Sequence, residues 1–346
     1  MKIIVTGGAG FIGSSVVRQA IGRGYHVLNL DALTYASCLD NVAEVANSPF
    51  YQFVQLDICD QPAVTQLMHN YRPDAVIHLA AESHVDRSID GPKQFMKTNI
   101  EGVFSLLEAT RDYLSARPDG FKFRFLHVST DEVYGSALPG DYFKEISNYR
   151  PNSPYSSSKA ASDHLVRAWH QTYGLPTQIS HCSNNYGPYQ FPEKFLPVII
   201  NRALQGKDIP IYGNGLNERD WLYVEDHATA LLDIVVKGAV GGVYNIGGDN
   251  VLDNLSLAKM VCAILDELVP QPDPYHKLIR FVTDRPGHDE RYAIDSTFIK
   301  RSIGWVPQTD LETGLRATIK WYLDNQGWVM KVKERNKIGE RLGLGR

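Results

Sequence analysis

Tyr155 and Lys159 stand four residues apart, and the run Thr130-Asp131-Glu132 precedes them. A tyrosine and a lysine at i and i+4 share one face of a helix. There the ammonium group can lower the phenol's pKa and make it a usable base near neutral pH. The adjacent acids Asp131 and Glu132 add a second proton-handling pair. The first pair suits oxidation at a hydroxyl; the second suits removal of water. Two acids at a strand end are by default helix caps, and most Y-x-x-x-K matches are surface neighbours. Context strengthens both readings here, because Tyr155 follows a strand ending in Ser129-Thr130 and leads into a helical stretch, 160–166.

The elements that must position these groups alternate. Residues 3–6, 26–30, 52–56, 75–79, 125–129 and 177–180 read as strands, several nearly continuous in Val, Ile, Leu and Phe, as in parallel strands buried on both faces. Helical patterns lie between them, for example 12–23 and 98–113, where Val103, Leu106, Leu107 and Thr110 recur at helical spacing. This rhythm predicts an α/β fold, a doubly wound parallel sheet with a smaller mixed α/β substrate lobe. Residues 1–183 form the dinucleotide-binding part, to which 223–250 return through a helix (223–236) and a strand (242–246). Residues 184–222, read as loops with one helix (195–205), and 251–346 form the interleaved second lobe. Between 251 and 330 the pattern predicts two helices and a Pro-rich loop, 269–275. The tail from Lys331 carries six basic and two acidic residues and reads as a solvated or loosely docked end.

Gly7-Gly8-Ala9-Gly10-Phe11-Ile12-Gly13 follows the first strand and opens the first helix. Glycines let such a turn close tightly and bring backbone amides to a pyrophosphate at the helix N-terminus. Asp31 ends the second strand, where a carboxylate can accept both ribose hydroxyls of NAD and repel the extra phosphate of NADP. A helix cap is the alternative for Asp31, and a turn residue for Asp57. NAD is the expected cofactor.

Composition bounds the rest. In 346 residues, 43% hydrophobic and 21% charged content is ordinary for a globular enzyme, and a net charge of −4 gives no reason to expect nucleic acid or an anionic membrane as partner. There is no apolar run of membrane-spanning length, and the chain starts directly on an apolar strand without a signal peptide, so a cytoplasmic location is expected. Cys38, Cys59, Cys182 and Cys262 are scattered and read as reduced packing residues; the histidines show no ligand spacing, so no metal is expected.

The spacing G-x-x-G-x-x-G resembles the extended branch of the short-chain dehydrogenase/reductase superfamily. Ser129-Thr130-Asp131-Glu132-Val133-Tyr134-Gly135 resembles the signature of its nucleotide-sugar 4,6-dehydratases, and the likeness continues through 81–88, 183–194, 219–227 and 284–288, most of the chain. Within this group the 4-epimerases lack the carboxyl pair and the decarboxylases carry Ser before Glu. Dehydratases of UDP-N-acetylglucosamine or CDP-glucose tend to carry Asp then Lys, so Asp then Glu favours dTDP-glucose as substrate. The resemblance implies that Tyr155 takes the proton of the sugar 4-hydroxyl, Lys159 holds the nicotinamide ribose and Thr130 bonds the same oxygen. Glu132 would be the base at carbon 5 and Asp131 the acid at carbon 6. It assigns Gly7, Gly10, Phe11, Ile12, Gly13, Asp31, Leu33, Thr34, Asp57, Ile58, Leu79, Ala80, Ala81, Ser83, Thr98 and Asn185 to NAD. To the nucleotide sugar it assigns Ser83, Asn184, Lys194, Phe195, Pro210, Asn254 and His288, with Tyr212 packing against thymine and Arg219 and Arg285 gripping the diphosphate. Arg87 is left open between ligand and structure. A homodimer built on the helices after Thr98 and Tyr155 is implied. Two alternatives stand: a dehydratase of another NDP-glucose, and a non-catalytic NAD-binding regulator, which would need none of the four reactive side chains.

Overall fold

The computed structural model describes residues 1–118 and 120–336. The chain opens with β1 (Lys2–Thr6), α1 (Phe11–Gly22), β2 (His26–Asp31), β3 (Tyr51–Gln55), α2 (Gln61–Tyr71) and β4 (Ala75–His78). Then come α3 (Val85–Asp90), α4 (Pro92–Met96), α5 (Gly102–Ser115), β5 (Arg124–Thr130), α6 (Pro154–Tyr173) and β6 (Thr177–Cys182). Next are β7 (Asn184–Tyr186), α7 (Phe195–Leu204), β8 (Ile209–Tyr212), β9 (Glu218–Tyr223), α8 (Val224–Lys237) and β10 (Val243–Ile246). The last third holds β11 (Val251–Asp253), α9 (Asn254–Leu268), β12 (Ile279–Val282), α10 (Thr297–Ile303), α11 (Leu311–Asp324) and α12 (Gln326–Asn336).

Seven strands form one parallel sheet in the order β10-β6-β5-β4-β1-β2-β3. Alternate residues feed two cores. Ile3, Val5, Ile77 and Leu126 pack into the layer containing α1 and α8, while Ile4, Val76 and Phe125 pack into the layer containing α2 and α5. Burial on both faces is why these strands are apolar without alternation. After β1 the chain winds outward through β2 and β3, then crosses back to β4, β5 and β6. That reversal leaves a crevice over the strand ends beside β1 and β4.

The predicted strands of the first half agree with the observed ones to within one or two residues at each end. Three segments differ. Helix 98–113 starts as a π-helical turn, Lys97–Glu101, that runs into α5. Residues 184–222 contain three short strands besides α7, and 251–330, where two helices were expected, contain α9, α10, α11, the start of α12 and two strands. The missed strands are three to six residues long and pair with distant segments, β8 with β12 and β7 and β11 with β9, so no local periodicity announces them. Ile299, Ile303 and Trp305 join the core of the large sheet, so the last third serves both lobes. Up to Asn336 the tail is docked as α12; the expected loose end otherwise falls on 337–346, outside the described residues. Among the described residues no helix is long and apolar enough to cross a membrane.

Candidate active site

The crevice encloses a cavity of about 300 Å³ walled by the ends of β1, β2, β4, β5 and β6. Gly7 has φ +71°, and a Cβ there would come within 2.7 Å of the Ala80 nitrogen. A Cβ on Gly13 would drive into the Gly7 carbonyl. Only glycine therefore lets the turn lie this tightly against β4 and α1. No side chain caps the N-terminus of α1, so its first amides are free to meet an anion. Asp31 is buried; its Oδ2 accepts from Ala9 N at 3.0 Å and its Oδ1 from Leu33 N at 2.8 Å, leaving lone pairs for a ribose diol. These features fit a dinucleotide. Phe11, Ile12, Thr34, Asp57, Ile58, Leu79, Ala80, Ala81, Ser83, Thr98 and Asn185 all line the cavity, but Leu33 does not. Its role here is the N–H it gives Asp31. The Asn185 amide is engaged within the protein, accepting at Oδ1 from His227 Nδ1 (2.9 Å) and donating to the Ser183 carbonyl (3.0 Å).

The reactive cluster is set by α6. Its first turn is fixed by Pro154 and a capping box in which Ser153 and Ser156 exchange side-chain-to-backbone bonds, both 3.0 Å. Tyr155 and Lys159 then project into the cavity beside Thr130, Asp131 and Glu132 at the end of β5. The expected lowering of the phenol's pKa is not found. Burial pushes Tyr155 well above its usual value, the Glu132 charge adds to this, and a hydrogen bond with Thr130 only partly offsets it. Lys159 is itself buried, which lowers it to about 8, and its Nζ donates to the Val128 carbonyl at 2.9 Å. Behind it lies Asp163, one turn further along α6. This carboxylate accepts from Ser129 Oγ (2.9 Å) and Tyr149 OH (3.0 Å) and lies 3.1 Å from His181 Nε2 and 3.3 Å from His127 Nε2. Burial alone would raise Asp163; the two histidines outweigh it and hold the carboxyl well below the usual range.

The adjacent acids sit in different fields. Asp131 is buried, and its Oδ2 has no hydrogen-bond partner among the described residues. Burial pushes it well above the usual carboxyl range, Glu132 and Asp220 push the same way, and of nearby cations Arg219 opposes. Glu132 is half-buried and also raised by burial, but Arg285, Lys194 and Arg219 all oppose the rise. The field around Asp131 thus favours its neutral form more strongly than the field around Glu132 does.

A second cavity of about 210 Å³ adjoins the first and shares Glu132, Asn184, Asn185 and Lys194 with it. Phe195, Pro210, Tyr212, Arg219, Asn254, Arg285 and His288 line it, so every expected sugar-nucleotide residue falls in one cavity or the other. Both arginines expected at the diphosphate are already engaged within the protein. Arg219 does not present a free fork: its Nη groups donate to the carbonyls of Glu218 (2.7 Å), Asp289 (2.9 Å) and Glu290 (3.4 Å), and its guanidinium stacks 4.2 Å from the Tyr292 ring. Arg285 Nη1 is held by Asp86 at 2.7 Å, while its Nε is buried with no partner among the described residues. His288, lowered to about 4 by burial and by Arg285 and Arg219, is neutral at pH 7 and adds no positive charge. Lys194 Nζ donates to the Ser83 carbonyl at 2.8 Å. Arg87 lines neither cavity and forms a two-pronged pair with Glu193 (2.7 and 3.0 Å). The sequence reading missed Asp86, which also accepts from Tyr212 (3.2 Å), and Tyr292, which faces Glu132. Asp86 lies inside a quoted motif; nothing local marks Tyr292.

A family model described as GDP-mannose 4,6 dehydratase matches residues 4–318. A protein of Escherichia coli named dTDP-glucose 4,6-dehydratase is 54% identical, over 99% of this chain and 99% of its own. A second of that name, from Neisseria meningitidis serogroup B, is 54% identical over 100% of this chain and 99% of its own. Among solved structures, DesIV (dTDP-glucose 4,6-dehydratase) of Streptomyces venezuelae, with NAD and TYD bound, superposes with TM-score 0.88 at 42% identity, covering 96% of this chain and 100% of that one.

Proposed function

From a chain that belongs to the GDP-mannose 4,6 dehydratase family, we propose an NAD-dependent carbon–oxygen lyase that converts dTDP-glucose to dTDP-4-keto-6-deoxyglucose and water. NAD, held by the glycine turn and Asp31, would supply the two-electron chemistry, taking hydride from carbon 4 and giving it back at carbon 6. Tyr155, bonded to Thr130, takes the proton of the 4-hydroxyl, and Lys159 steadies the charge that develops. The resulting ketone acidifies the carbon 5 proton, which Glu132 removes and gives back to carbon 5 when hydride returns to carbon 6. Asp131 gives its proton to the carbon 6 hydroxyl, which leaves as water. The observation that carries this reading is the contrast between a fully buried Asp131 and an adjacent Glu132 flanked by Arg285, Lys194 and Arg219.

Gly7, Gly10, Gly13 and Asp31 with their cavity neighbours are proposed to hold the dinucleotide, and Arg285, Lys194, Asn184, Asn254 and Tyr212 the nucleotide sugar. Arg285, anchored to Asp86 through Nη1, still has its Nε to offer the diphosphate. In this division 1–183 with 223–250 binds cofactor, and 184–222 with the segment from 251 binds sugar nucleotide. A homodimer through α5 and α6 is supported by Phe104, 43% exposed, and Tyr173, 48% exposed, which pack edge-on against Trp169 on that face. Four unpaired cysteines support a reducing, cytoplasmic setting. Incubation with dTDP-, UDP- and CDP-glucose, scored by the alkali-induced ketosugar chromophore, tests the assignment. Turnover of UDP- or CDP-glucose without dTDP-glucose would overturn the substrate, and no product from any would return the protein to a binding role.

A further inference from the structure

The last described helix reaches back over the adenosine end of the dinucleotide cleft. Trp328 of α12 donates from Nε1 to Asn41 Oδ1 at 2.9 Å, and the Asn41 amide donates onward to the Ala9 carbonyl, in the glycine turn, at 2.9 Å. Arg18 holds the Asn41 backbone carbonyl at 2.7 Å, and the residue is buried. Two turns further along α12, Arg335 donates to the carbonyls of Ser37 (2.9 Å) and Leu33 (2.8 Å). Val332, between them, packs against Cys38 and Phe191, and Lys331 pairs with Asp40.

These contacts converge on two short segments. Ala9 and Leu33, whose carbonyls α12 secures through Asn41 and Arg335, are the same residues whose N–H groups orient the Asp31 carboxylate. Leu33 has φ +55°, a left-handed conformation that leucine rarely adopts and that needs outside support. Trp328 and Arg335 touch the outer side of these segments and are not part of the cavity wall.

We propose that Asn41, Trp328 and Arg335 are positioning residues that latch the cofactor turn and the ribose loop closed, so that NAD stays bound through both halves of the reaction. This rests on the NAD reading of the cleft. Chemistry gives the latch its use: the cofactor ends each cycle in the state in which it began, and losing it midway would strand an oxidised sugar on the enzyme.

The test uses the holoenzyme loaded with radiolabelled NAD and chased with unlabelled NAD, in wild type, Trp328→Phe, Arg335→Ala and Arg335→Lys. Each protein stripped of NAD is also melted. Loss of the single Trp328 bond should speed release about 5–10-fold, and loss of the two Arg335 bonds by at least as much. Arg335→Lys should recover part of the effect, and the melting of the stripped proteins should stay near wild type. Unchanged release would overturn the latch, as would faster release that merely tracks a lower melting temperature of the stripped protein. Should Trp328→Phe not fold, the Arg335 pair decides. A wild-type protein that retains no NAD would sink the cofactor reading itself, and the latch with it.

Discussion

Burial pushes the Asp131 carboxyl well above its usual range, and a shift of that sign weakens the fold at neutral pH. Below about pH 4 the folded and unfolded chains both carry this proton and no difference arises. As pH rises the unfolded chain ionises while the folded one does not, so the group costs stability in that window. Asp131→Asn should therefore raise Tm near pH 7, with a gain that shrinks toward pH 4, while water loss falls more than oxidation. A Tm gain equal at both pH values would contradict the shift. Glu132→Gln should cut exchange of the carbon 5 proton with solvent by roughly 10²-fold or more while single-turnover oxidation survives; if exchange persists, another group is the base. The identity of both acids was legible from the run Thr130-Asp131-Glu132. Their separate environments were not, because Asp220, Arg219, Lys194 and Arg285 arrive from far along the chain. The same limit explains Tyr155: helical spacing to Lys159 was read correctly, but spacing carries no information on burial.

At the level of elements, the glycine turn shows sequence reading at its strongest, since backbone needs at Gly7 and Gly13 can be met by one residue type. Gly13→Ala should give a protein that purifies without NAD, read as a fall in the 260/280 nm absorbance ratio of the native sample. Full retention of NAD would mean that the turn tolerates more room than its geometry indicates. The π-helical turn shows the opposite case. It aims Asn99 so that its amide accepts from Glu82 N (2.9 Å) and donates to the Glu82 carbonyl (3.0 Å) and Ser158 Oγ (2.8 Å), tying the β4 loop to α6. Apolar spacing over 98–113 matches an ordinary helix, so the extra residue in the turn leaves no trace in the pattern. Strands β7, β8 and β11 were hidden for a related reason: three or four residues are too few to show alternation.

Across the whole molecule, α3 fastens one lobe to the other through neighbouring residues, Asp86 to Arg285 and Arg87 to Glu193. Phe104 on α5 and Tyr173 on α6 are exposed, and the proposed homodimer would cover them. Phe104→Arg should halve the mass measured by light scattering and leave NAD content intact; an unchanged mass would place the interface elsewhere. One consequence of the sheet order concerns synthesis. β6 takes its outer neighbour from β10, and about sixty residues separate Cys182 from Val243. At translation speeds of roughly 5–20 residues per second, a growing chain leaves the β6 edge without its partner for about 3–12 s. A nascent sheet with an open, apolar edge is a template for pairing with other chains. Ribosome pausing or slow codons within 183–242 would lengthen that exposure and lower the yield of native protein without changing a single residue.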